Sequence, residues 1–67
     1  MKKAVARQTG TVWIVDTQYD PRLNLAKQRL IEEGKIPDKL AFTEEEAKQI
    51  ANLINERAAL LRDRDYG

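Results

Sequence analysis

The side chains that most enzymes recruit for proton transfer or nucleophilic attack are missing from this sequence. Its 67 residues include no histidine, no cysteine and no serine. The usual base near neutral pH, thiolate zinc ligation and Ser-His or Cys-His pairs are thereby excluded. Gly10, Gly34 and Gly67 stand alone, so no glycine-rich phosphate loop is present. Carboxylates remain. Asp16 and Asp20 flank the end of an apolar run, a place where a hard cation can collect oxygen ligands. A structural role competes at each: Asp20 precedes Pro21 as a helix cap, and Asp16 closes a strand before a turn. Glu44, Glu45 and Glu46 likewise read as the first turn of a helix. No enzymatic activity, metal or cofactor is expected.

Non-covalent chemistry offers two sets of residues. The first is basic and polar: Lys2, Lys3, Arg7 and Thr9, with Gln8 and Thr11, which suit phosphate contacts on DNA. A solvated terminus explains the same residues. The second set is apolar: Leu53, Leu60 and Leu61 on a helix, with Trp13 as an aromatic anchor for a protein partner. Trp13 also suits base stacking, but its neighbours Val12, Ile14 and Val15 mark it first as core.

The elements that must position these residues are written locally. Residues 11–17 are β-branched or aromatic and read as a strand, with Thr9-Gly10 as the centre of a preceding tight turn. All four of Val12 to Val15 are apolar, so both faces of this strand want cover. Asp20-Pro21 opens a helix whose face is Leu23, Ala26 and Leu30, with Ile31 at its margin; Leu25 points elsewhere, as a partner contact or, the favoured reading, a tolerated surface leucine. Gly34 ends that helix and Pro37 prevents its resumption. Ile36, Leu40 and Phe42 then predict a loop packed down on the core.

The second helix organises the rest. Thr43 and Glu46 form a capping box, with Phe42 placed to staple against Ala47. Ala47, Ile50, Ala51, Ile54, Ala58 and Leu61 recur at spacings of three and four. Leu53 and Leu60 widen that face to about half the circumference at roughly 100° per residue. Arg57, Arg62 and Arg64 gather at the negative pole, and residues 62–65 are expected to fray.

The order strand, helix, helix is similar to that of the ribbon–helix–helix repressors, whose paired N-terminal strands enter the major groove. Two features depart from that family. Its ribbon alternates polar and apolar residues, whereas Val12 to Val15 do not, and residues 35–42 make a longer connection than its short turn. The likeness is one of element order.

Composition bounds the remainder. With 34% charged and 42% hydrophobic residues the chain is globular, and 67 residues make one domain, 1–67, near the lower limit for folding alone. The net charge of +1 divides into +3 over residues 1–35 and −2 over 36–67, too mild a field to drive nucleic-acid or membrane binding. No apolar run reaches a membrane span, and no signal core follows the N-terminal lysines, so a cytoplasmic protein is expected. The reading is an α+β domain: a strand or hairpin (about 4–17) on two helices (about 21–33 and 44–64), dimerising through the second. Its expected function is a non-enzymatic interaction or regulatory module, a homodimer or an inhibitor or adaptor of a larger protein. The alternative is a small dimeric DNA-binding regulator using the basic N-terminal segment.

Overall fold

In the computed structural model, which describes residues 2–61, the chain runs β1 (Val5–Thr9), β2 (Val12–Asp16), α1 (Pro21–Glu32) and α2 (Glu44–Leu60). The strand expected at 11–17 is therefore one arm of an antiparallel hairpin, in which Thr9 lies opposite Val12. That register makes Gly10 and Thr11 the turn residues, not Thr9 and Gly10. Gly10 has φ +62°, while Thr11 is not among the residues with positive φ. This is a type II′ turn, which wants glycine at its first central position and spares threonine a left-handed backbone.

The link from β2 to α1 is tighter and less comfortable. The Asp20 N–H donates to the Thr17 carbonyl at 3.0 Å, across Gln18 (φ 55°) and Tyr19 (φ 57°). Two left-handed residues in sequence define a type I′ turn, here built without glycine or asparagine at a cost of about 1 kcal/mol or more per residue. Hydrogen bonds hold it. Asp16 Oδ1 accepts from the Gln18 N–H at 2.7 Å, and Gln18 Nε2 donates to the Lys3 carbonyl at 2.9 Å.

Helix α1 starts as the sequence requires, with Asp20 Oδ1 accepting from the N–H groups of Arg22 (2.9 Å) and Leu23 (3.2 Å). It ends in a Schellman motif on Gly34 (φ +72°): the Lys35 N–H reaches Leu30 O and the Gly34 N–H reaches Ile31 O. Helix α2 opens on the full capping box between Thr43 and Glu46. It is the shared partner of the fold, packing against β1, β2 and α1.

Burial follows periodicity. Leu23, Ala26 and Leu30 face Ala47, Ile50, Ala51, Ile54 and Ala58, and Ala4, Ile36 and Phe42 close the margins. Ala6, Trp13 and Val15 lie on the hairpin face toward this core, while Val5, Arg7, Thr9, Val12, Ile14 and Asp16 take the other face. Leu25, expected at the surface, packs partly against the core instead. The loop is only partly as expected: Ile36 and Phe42 are buried, but Leu40 is 80% exposed. Phe42 explains the split, because its N–H and carbonyl both bond to Trp13 (2.8 and 3.0 Å) and this single bridge sets its side chain on the core-facing side with Trp13.

Helix α2 ends at Leu60, short of the expected 64, and Leu61 is extended (φ −75°, ψ 139°). A continuing helix would give the Ala58 carbonyl to the N–H four residues on. Here that carbonyl accepts from Arg22 Nη1 at 3.2 Å and from the Leu61 N–H at 3.2 Å. Arg22 Nη1 also reaches the Leu61 carbonyl at 3.0 Å. The expected fraying of residues 62–65, with Arg62 and Arg64, lies outside the described residues.

Candidate interaction surfaces

Leu53 and Leu60 stand one heptad apart on α2, and both remain outside the core, at 37% and 75% exposure. They border a groove of about 170 Å³ with Leu30 and a rim of Lys35, Glu56 and Arg57. The groove lies between Leu30 and Lys35, at and just beyond the C-terminal end of α1, and the Leu53–Leu60 stretch of α2. Its shape is fixed by Arg57, whose two terminal nitrogens donate to both carboxylate oxygens of Glu33 at 2.8 Å. Lys35 adds a second cation to Glu33 at 3.2 Å. The Arg57 hydrogen bond first, and the Lys35 one next, hold the Glu33 carboxyl down to about 2. Fixed charge thus frames an apolar floor.

Two other expected contacts sit differently. Leu61 is buried, so in this fold it serves the core rather than a partner. Its backbone is extended and its side chain belongs to the core cluster. Trp13 is half-buried against the core, with Lys48 Nζ 5.9 Å from its ring, and offers a partner only part of its surface.

The basic residues do not form one patch. Lys2 and Lys3 border an apolar recess of about 340 Å³ beside the C-terminal half of α2, with Leu23, Asn55 and Ala58. Arg7 and Thr9 lie on the outer face of the hairpin, and Arg7 Nε donates to Asp16 Oδ2 at 2.6 Å. That bond, then the Gln18 N–H, lowers the Asp16 pKa. Asp16 and Asp20 are therefore occupied, one by Arg7 and the turn, the other by the helix cap. Among the described residues no three acidic side chains converge as a metal site would need, and no helix is long and apolar enough to cross a membrane.

Asn55 is the residue that sequence reasoning missed. Its Oδ1 accepts from the Ala4 N–H at 2.7 Å, and its Nδ2 donates to the Ala4 carbonyl at 3.0 Å. The signal was an amide directly beside Ile54 on the edge of the apolar arc. Its partner lies 51 residues away and could not be read.

Comparison with known protein families, characterised proteins and solved structures finds no match to this chain.

Proposed function

We propose that this chain is a non-enzymatic interaction module that works as a homodimer through the Leu53 and Leu60 stripe of α2. One observation carries the reading: two leucines a heptad apart lie outside the core, beside a groove floored by Leu30. The core itself is small. Its largest fully buried side chains are Leu23 and Ile54, so an added apolar interface stabilises the fold substantially. The rim carries both signs, Lys35 and Arg57 with Glu56, which lets the face meet a second copy of itself without like-charge conflict.

Solution mass across a concentration series tests this, paired with circular dichroism. Wild type should show a concentration-dependent dimer. The double variant Leu53→Asp, Leu60→Asp should be monomeric with its helical signal retained, whereas Leu61→Asp should lose the helical signal as well. A wild type that stays monomeric throughout rules out the homodimer and leaves the inhibitor or adaptor reading. The DNA-binding alternative expects random duplex to bind with a steep salt dependence through Lys2, Lys3, Arg7 and Thr9, and a titration at two salt concentrations decides it.

A further inference from the structure

The two edges of the hairpin differ in what covers them. Trp13 gives both its N–H and its carbonyl to Phe42, so these groups point away from β1. In an antiparallel ladder the direction alternates along the strand, and directly opposite residues point alike, both inward or both outward. Gln8 lies opposite Trp13, so Gln8, Ala6 and Ala4 turn their backbone groups away from β2. Asn55 satisfies Ala4, doing with one side-chain amide what a neighbouring strand would do. At Ala6 and Gln8, no group among the described residues meets the outward N–H and carbonyl.

A groove of about 360 Å³ lies between α2 and the Ala4 to Ala6 part of this edge. Ala4, Val5, Ala6 and Ala51 line it with Lys48 and Asn52, and the three alanines leave room next to the strand. An added strand would bond to Ala6 and Gln8 and drop alternate side chains into that space. The charge at its end is predominantly basic, two lysines sharing a recess with the single carboxylate of Glu56. Lys2 and Lys3 lie beyond Ala4, both exposed and without an acidic partner within ion-pair distance among the described residues.

We infer that the outer edge of β1 is a strand-addition site for an extended peptide with small apolar residues at alternate positions and acidic residues at its C-terminal end. Running antiparallel, such a chain meets Gln8, then Ala6, and its acidic end passes Lys3 and Lys2. A second copy of β1 fits worse. The register that satisfies Ala6 and Gln8 of both copies sets Arg7 opposite its own counterpart, and like charges directly opposite are destabilising. This site shares no lining residue with the Leu53 and Leu60 groove, so either can fail without the other.

The probe is a dye-labelled peptide, Thr-Val-Thr-Val-Thr-Glu-Glu, followed by anisotropy and by exchange of the Ala6 and Gln8 amides. Saturable binding is expected, with slowed exchange at those two amides. Gln8→Pro removes an outward N–H without touching the β1–β2 ladder and should weaken binding roughly tenfold. Methylating the valine amides of the peptide attacks the same bonds from the other side, leaves the protein unaltered, and should abolish binding. Lys2→Glu with Lys3→Glu should weaken binding at low salt, with a smaller effect at high salt. No saturable binding overturns the inference, as does binding indifferent to the methylated peptide. It is equally overturned if the two amides are protected by a second copy in the free protein, or by random duplex DNA.

Discussion

The two ends of α2 are closed by opposite means. At the N-terminus, Thr43 and Glu46 satisfy each other's backbone groups within one turn. At the C-terminus, the Leu61 N–H reaches the Ala58 carbonyl, and the carbonyls of Ala58 and Leu61 both accept from the guanidinium of Arg22, which arrives from the start of α1. One end is secured by its own sequence, the other by the tertiary fold. A local cap stabilises the helix alone, whereas a distant one ties the helix end to the packing of α1 on α2. The two should therefore respond differently to the same kind of damage.

The largest effect should come from Arg22→Ala. It removes at least two charge-assisted hydrogen bonds from a partly buried position, a loss of about 2 kcal/mol or more. The urea midpoint should fall, and amide exchange should quicken at both the end of α2 and the start of α1. If exchange quickens in α2 alone, the distant cap is not a link between the helices. Thr43→Ala should cost less, about 1 kcal/mol, with faster exchange confined to the first turn of α2. Glu46→Gln should be nearly neutral, because glutamine also completes a capping box.

Acid sharpens the same contrast with the smallest expected effect. Glu33 has its folded pKa lowered from 4.5 to about 2, by Arg57 first and Lys35 second. Glu46 is lowered too, chiefly by the Thr43 N–H. A depressed carboxyl stabilises the fold fully above its unfolded pKa, and that contribution is lost as pH falls through the folded value. Urea midpoints should therefore hold down to about pH 5 and decline toward about pH 2. Both carboxylates are solvent-exposed, so the decline should be shallow and should shrink further in salt. The two bonds from Arg22 to the Ala58 and Leu61 carbonyls have acceptors that do not titrate over this range. A Glu33→Gln variant whose midpoint still declines as steeply would assign the acid response to other carboxylates.

What the sequence showed follows the same division. Asp20-Pro21, Thr43 with Glu46, and Gly34 each act within a few residues, and each sits where local chemistry placed it. The core faces of both helices were legible from spacing alone. Leu40 and Phe42 were not separable, since both are apolar and two residues apart. Only the bridge to Trp13 decides that Phe42 turns inward. Leu61 fits the helical period as well as Ala58 does, yet it lies beyond the helix end. Leu53 and Leu60, expected to widen the apolar face of α2, lie outside the core, while the roles of Asn55 and Arg22 depend on partners 51 and at least 36 residues away.

The Asn55 clasp on Ala4 also sets an order of events. Secondary structure here is local and quick: a hairpin with a two-residue turn, and helices with their own start signals. The edge of β1 nevertheless waits for residue 55, and the end of α2 waits for Arg22, so both closures span long stretches of chain. Closing such loops costs entropy before any contact repays it. A nascent chain halted before residue 55 would have Ala4 unclasped and the last six of the 17 residues of α2 missing. Such a chain would expose more strand edge than the finished fold does, which makes the interval before release the time of greatest exposure to mispairing.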